Sequence, residues 1–185
     1  AGGDGGVGGG THFGHHVTIG ATQDKENAYK LGYYGYKEAA AIGCNWTFAP
    51  IVDINKNWRN CVVSSRCFSS EAQQVLDMSK EYLRGAKDAG LASCMKHFPG
   101  DGLDERDQHD MSVEEWEENF GNVYRGMIDA GVESVMIGHI RLPEMSRKLR
   151  PGIKDNEIMP ATIAPELLQD LLRDELGFNG LVITD

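Results

Sequence analysis

A group of ionisable residues directly follows one apolar run of the chain. Residues 91–95 have the composition of a buried strand, and Lys96-His97-Phe98-Pro99-Gly100-Asp101-Gly102 comes next. The proline and the two glycines favour an irregular loop over a helix. A lysine, an imidazole and carboxylates on a loop at a strand end are typical of active sites, because a rigid scaffold then holds them. We therefore interpret the chain as part of an enzyme.

A second group of interest is Asp107-Gln108-His109. A carboxylate two residues from an imidazole can hydrogen-bond Nδ1, set the tautomer and make the ring a general acid/base. The alternative is a solvated charge run, since residues 104–106 and 110 are also charged.

Asp185 and Arg66 each allow two interpretations. Asp185 follows the apolar run 181–184, where its carboxylate could act as nucleophile or electrostatic stabiliser, or as the N-cap of a following helix. Arg66 follows the apolar run that ends at Asp53. It could bind a hydroxyl or carbonyl group of a ligand, or pair internally with Asp53. Spacing alone does not separate these alternatives.

The N-terminal histidines and glycines do not indicate a metal or a cofactor. His12, His15 and His16 lie in a glycine-rich neighbourhood without a second group of ligands at helical spacing, so we expect no metal site. The glycines of residues 2–10 are not followed by the Lys-Ser/Thr pair of a phosphate loop, and we expect no cofactor.

The composition is that of an ordinary globular protein, with 185 residues, 41% hydrophobic and 25% charged. The net charge of −10 disfavours nucleic acid and anionic membranes as partners. No apolar run is long enough for a membrane span. The four cysteines show no C-x-x-C pairing, which favours free thiols and a cytoplasmic location. The oligomeric state stays open. The chain has no initiator Met, and we expect it to be a segment of something longer.

Four helix-then-strand units follow one another. Periodicity and caps predict helices from 24 to 42 with Thr22 as N-cap, after Ser70, after a Ser112/Glu115 capping box, and from Pro165. The predicted helix stops are Gly43, Gly90, Gly131 and Gly177. The predicted strands are 46–52, 91–95, 132–137 and 180–184.

Near-continuous apolar strands separated by helices predict an α/β fold with a parallel sheet, either a (βα)₈ TIM barrel or an open doubly wound sheet. Asp53, Lys96-His97, His139 and Asp185 each stand where a strand ends. A barrel gathers its strand ends around one opening, which favours the barrel. A full barrel takes roughly 250 residues, so we expect residues 1–185 to form a partial TIM-barrel catalytic domain of about four to five βα units.

These motifs resemble glycoside hydrolase family 3, and specifically its β-N-acetylglucosaminidase branch. The resemblance is carried, in the family's order, by residues 45–53, 96–102, 107–109 and 160–185. The combination of K-H-F-P-G with the terminal G-L-V-I-T-D is specific, whereas either motif alone is weaker. One departure is that only Asp110 and Met111 separate the 107–109 motif from Ser112, where relatives have a longer linker.

The resemblance implies a retaining hydrolase that removes terminal β-linked N-acetylglucosamine. Asp185 would be the nucleophile, and His109 the acid/base oriented by Asp107. The sugar would be held by Lys96, His97, Arg66 and, although the glycines around it depart from the family pattern, Asp4. Three alternatives stay open: a phosphorylase, a β-glucosidase-type member of the family, and a non-catalytic sugar-binding relative. Phosphorolysis is an alternative because a neutral imidazole repels phosphate less than a carboxylate would.

Overall fold

The structure, a computed structural model, describes residues 9–105 and 110–185, and four strands in these ranges form one parallel sheet. The strands are β1 (Trp46–Thr47), β2 (Ala92–Phe98), β3 (Ser134–Ile137) and β4 (Leu181–Thr184). Their spatial order is the chain order, β1-β2-β3-β4. Sequential order is typical of a barrel wall, whereas a doubly wound sheet reverses its order at a switch point. The predicted parallel α/β sheet is confirmed.

Helices alternate with these strands and pack against one another in chain order. The α-helices are α1 (His16–Ala21), α2 (Lys25–Ala41), α3 (Ala72–Asp88), α4 (Val113–Trp116), α5 (Asn122–Asp129) and α6 (Pro143–Leu149). π-helical segments cover Glu117–Gly121, between α4 and α5, and Glu166–Glu175. Short 3₁₀ turns cover Ser64–Arg66, Asp155–Glu157 and Ala161–Ile163. Helix α2 packs on α3, α3 on α5, and α6 on the segment Glu166–Glu175. Neighbouring helices thus cover the sheet as one layer.

The predicted helix ends agree with the structure except at one N-cap. Ser112 accepts from the backbone N–H of Glu115, whose side chain accepts in return, so the capping box is confirmed. Helix α2 is capped by Asp24, not by Thr22 as predicted. The Thr22 hydroxyl instead donates to the carbonyl of Ile19 at the end of α1, over 2.6 Å. The sequence patterns did not predict α1, and its presence gives Thr22 a different role.

The first two strands differ in length from the prediction. Only Trp46–Thr47 is regular strand in the predicted range 46–52, because Pro50 has no N–H to donate to a sheet. Residues 50–52 still pair with β2, since Lys96 N donates to Pro50 O over 3.1 Å and Val52 N donates to Lys96 O over 2.8 Å. Strand β2 extends to Phe98, so Lys96 and His97 lie within the strand and not beyond it.

Apart from a small cluster of Ile51, Val63 and Cys67, most buried apolar side chains of the described residues form one large core between the sheet and the helices. Its largest fully buried side chains include Tyr82, Phe98, Trp116, Phe120 and Tyr124. Within residues 9–105 and 110–185, the structure contains no helix with the length and apolar character that a membrane crossing requires.

Candidate active site

His97 lies at the centre of a polar cluster at the carboxyl end of the sheet. Its ring Nδ1 is 2.6 Å from Oδ2 of Asp53, and its backbone N–H donates to Oδ1 of the same carboxylate over 3.1 Å. Asp53 is fully buried, and its Oδ1 also accepts from the backbone N–H of Asp101 over 3.0 Å. Asp53 therefore joins the ends of the first two strand segments and holds His97 at two points, its ring and its backbone.

The other ring nitrogen of His97 faces the predicted nucleophile and the predicted sugar-binding arginine. Nε2 is 3.7 Å from Oδ2 of Asp185 and 3.4 Å from Nη2 of Arg66. Three residues far apart in the sequence are thus brought together. The alternative in which Arg66 pairs with Asp53 is wrong, because the Asp53 carboxylate is used by His97 and Asp101, and Arg66 instead donates to the carbonyl of Val62 over 3.0 Å.

Lys96 belongs to the same electrostatic environment. Burial lowers the pKa of Lys96 below its ordinary value, the Arg66 guanidinium lowers it further, and the Asp185 carboxylate opposes both. Two cationic side chains and one carboxylate therefore act on each other at this end of the sheet. Such a site places positive charge close to a carboxylate and provides donors for hydroxyl groups.

The backbone of Asp185 is held by contacts to two neighbouring segments. Its N–H donates to Ile137 O over 3.1 Å, which extends the pairing of β3 and β4 by one residue. Its carbonyl oxygen is 3.2 Å from Nε2 of His139, and Nδ1 of His139 is 3.2 Å from Oγ1 of Thr162. These two contacts hold Asp185 at the end of β4, next to His97.

The loops after the first two strand segments are hydrogen-bonded into one unit. The carbonyl of Gly102 accepts from the backbone N–H groups of Lys56 and Asn57, over 3.1 and 2.9 Å. The buried Asn60 donates to Asp101 Oδ1 and to Asp104 O, each over 2.7 Å. Sequence reasoning missed Asn60 and offered no signal for it, because an asparagine in a loop is ordinarily a turn residue.

Three predicted site residues lie outside the described residues. They are Asp4, Asp107 and His109. Their roles stay predictions. The described neighbours of the 107–109 motif are Glu105, which is 3.8 Å from the guanidinium of Arg59, and Asp110.

The N-terminal histidines are not arranged as a metal site. His16 is buried against Phe68, with ring centroids 4.5 Å apart, whereas His12 and His15 are exposed. Burial lowers the pKa of His16 to about 3. Residues 9–105 and 110–185 contain no group of three or more His, Cys, Asp or Glu side chains that could hold a metal ion.

Comparison with known proteins relates this chain to a family of glycosyl hydrolases. Residues 1–185 match the family model described as the glycosyl hydrolase family 3 N terminal domain. A relative from Cellulomonas fimi, named β-N-acetylglucosaminidase/β-glucosidase, is 50% identical over 181 residues, which cover 95% of this chain and 32% of the relative.

Two solved structures are also similar. A β-glucoside phosphorylase, BglX, bound to 2FGlc has a TM-score of 0.93 and 39% identity, and the match covers 95% of this chain and 33% of that chain. A glycoside hydrolase family 3 β-N-acetylglucosaminidase from Paenibacillus sp. str. FPU-7 has a TM-score of 0.84 and 34% identity, covering 92% and 32%. The chain thus spans about a third of the length of these relatives. The predicted partial TIM-barrel fold is confirmed.

Proposed function

The chain belongs to glycosyl hydrolase family 3, and we propose that the intact protein is a retaining glycosidase that removes terminal β-linked N-acetylglucosamine. One observation carries the proposal. The carboxylate of Asp185 stands at the end of β4, with Oδ2 3.7 Å from Nε2 of His97. The guanidinium of Arg66 is bound to that same ring nitrogen, and Lys96 directly precedes His97 in β2.

In the first step, a carboxylate oxygen of Asp185 attacks the anomeric carbon of the bound sugar. The bond from that carbon to the glycosidic oxygen breaks, and the leaving oxygen takes a proton from the imidazolium of His109. A covalent glycosyl ester on Asp185 results, with the anomeric configuration inverted.

In the second step, His109 removes a proton from water, and the water oxygen attacks the anomeric carbon. The ester bond to Asp185 breaks, and the second inversion restores the original configuration. The proposed role of Asp107 is to orient His109, because a carboxylate that accepts from Nδ1–H would set the tautomer of the ring.

The cationic side chains have a binding and an electrostatic role in this proposal. Lys96 and Arg66 donate to sugar hydroxyls and place positive charge close to the Asp185 carboxylate. His97 completes this group, and Asp4 is proposed as a further sugar ligand. The preference for a 2-acetamido sugar rests on the relatives, of which the Cellulomonas fimi protein is named for both N-acetylglucosaminidase and glucosidase activity.

A phosphorylase is the second candidate, and a specific observation favours it. The BglX structure, with a TM-score of 0.93 to this chain, is that of a β-glucoside phosphorylase. In this reaction a phosphate oxygen attacks the anomeric carbon of the glycosyl ester, Asp185 leaves, and a sugar 1-phosphate forms. A neutral imidazole repels the incoming anion less than a carboxylate acid/base would.

The test is a set of aryl β-glycosides that differ at C2, given to the intact protein with and without inorganic phosphate. We expect turnover of the N-acetylglucosaminide and a loss of about 10³-fold or more in Asp185→Ala. Asp170→Ala is the matched control, because Asp170 is an exposed aspartate of the outer segment Glu166–Glu175. Wild-type rates in Asp185→Ala would refute the nucleophile assignment.

Two further outcomes separate the alternatives. Formation of N-acetylglucosamine 1-phosphate in the presence of phosphate would favour the phosphorylase, and binding of N-acetylglucosamine without turnover would favour a non-catalytic relative. His109→Ala should slow substrates with poor leaving groups most, since these need protonation. Equal slowing for activated and unactivated leaving groups would count against its role as the acid.

A further inference from the structure

We propose that Asp53 is a positioning residue that holds His97 in one tautomer and thereby orients Arg66 beside Asp185. This inference rests on the proposed function, because it concerns the same site. It assigns a role to a residue that does not itself reach the exposed end of the site.

The contacts of Asp53 determine that Nδ1 of His97 carries a hydrogen. The Asp53 carboxylate already accepts two backbone N–H groups on Oδ1, from His97 and Asp101, over 3.1 and 3.0 Å. Its Oδ2 lies 2.6 Å from Nδ1. An ionised carboxylate can only accept a hydrogen bond, so Nδ1 must carry the hydrogen.

The other ring nitrogen of His97, Nε2, faces Arg66 and Asp185. A guanidinium group can only donate, so the 3.4 Å contact between Nη2 of Arg66 and Nε2 of His97 requires a lone pair on Nε2. Together the two contacts specify a neutral imidazole with its hydrogen on Nδ1. In this state His97 offers no proton to Oδ2 of Asp185, 3.7 Å away, and the lone pairs of the nucleophile stay free.

The tautomer of His97 determines whether Arg66 keeps its contact with the ring. Its guanidinium is held at two points, by the carbonyl of Val62 through Nη1 over 3.0 Å and by His97 through Nη2. In Asp53→Asn the amide NH₂ group could face Nδ1, and the ring would then carry its hydrogen on Nε2. That hydrogen would face the N–H groups of Arg66, so the guanidinium would lose one of its two anchors, and Asp185 would gain an unwanted donor.

A double-mutant cycle distinguishes this role from a merely structural one. We expect Asp53→Asn and Arg66→Gln each to lower kcat/KM by about 10²-fold, since misplacement of a positioning group by about 1 Å costs that much. The double variant should fall little below Arg66→Gln alone, because both changes remove the same interaction. Losses that multiply would overturn the proposal.

The matched control is Glu133→Gln. Glu133 also accepts a backbone N–H from the neighbouring strand, that of Ser93 over 3.0 Å, but at the amino end of the sheet. Glu133→Gln should lower kcat/KM only slightly, and in the double variant with Arg66→Gln the two factors by which kcat/KM falls should multiply. If Glu133→Gln gave the same non-additivity as Asp53→Asn, the coupling would be unspecific and the proposal would fail.

A second measurement does not depend on activity. In the intact protein labelled with ¹⁵N-histidine, NMR should show His97 as a neutral ring with its hydrogen on Nδ1, and Asp53→Asn should move the hydrogen to Nε2. The signals are assigned by their disappearance in His97→Gln. A wild-type ring protonated on Nε2 would overturn the inference, even if Asp53→Asn failed to fold. A protein without glycosidase or phosphorylase activity that shows the predicted tautomer would refute the proposed function alone.

Discussion

Lowering the pH from about 7.5 to about 5 should destabilise the protein through one buried histidine, His16. This side chain is 3% exposed and packs against the rings of Phe68 and Tyr82, with centroid distances of 4.5 and 5.1 Å. Among the described residues, its Nε2 has no hydrogen-bond partner. Burial lowers the pKa of His16 from 6.5 to about 3, and the nearby cations Arg66 and Lys96 contribute to the lowering.

The sign and the size of the effect follow from proton linkage. Between pH 6.5 and about 3 the unfolded chain binds a proton at His16 and the folded protein does not, so the free energy of unfolding falls as the pH falls through this window. A pH of about 5 lies roughly 1.5 pH units below the unfolded pKa, and each unit is worth about 1.4 kcal/mol, which gives a loss of about 2 kcal/mol. The loss has this size for any pKa of His16 in the folded protein that lies well below 5.

The assay is urea unfolding of the intact protein at both pH values for wild type and His16→Leu. The substitution changes the packing at both pH values, so we compare the change in the free energy of unfolding between the two pH values. This change should be about 2 kcal/mol smaller in His16→Leu than in wild type. His15→Leu removes the exposed neighbouring imidazole and should keep the wild-type loss, because His16 is still in place. Equal pH dependence in wild type and His16→Leu would refute the reasoning.

Three further predictions concern stability and can be measured by urea unfolding. Gly102→Ala should cost about 2 kcal/mol or more, because φ is +103° and the added Cβ would lie 1.9 Å from Ile54 O. The control Gly177→Ala, at φ +72° with open space around the added Cβ, should cost only about 1 kcal/mol. Equal losses of stability in the two variants would contradict the close contact between residue 102 and Ile54 O. Ser112→Ala should cost about 1 kcal/mol through loss of the capping box, and an unchanged midpoint would show that the cap contributes nothing. Tyr124→Phe should be neutral or stabilising by about 1 kcal/mol, since the buried hydroxyl has no partner among the described residues, whereas a clear loss would reveal one.

The order of the elements was predictable because its signals are local. The helix stops at Gly43 and Gly90 have φ of +94° and +88°, a conformation that glycine adopts at little cost. The reciprocal bonds of Ser112 and Glu115 involve residues three apart. Parallel strands also place their carboxyl ends at one edge of a sheet, so the meeting of Lys96 and Asp185 followed from the strand assignments alone.

The directions of the side chains were decided only by the tertiary structure. From the sequence, Asp53 was a possible partner for Arg66, and it is instead the partner of His97. That choice depends on the loop between residues 53 and 66, whose path is set by hydrogen bonds to Gly102 and to the loop that contains it. His16 is a core residue for the same kind of reason, because rings from distant segments cover it. Sequence patterns report which residue types stand at which spacing, whereas these contacts join residues whose distance and orientation arise only when the whole sheet and its loops pack together.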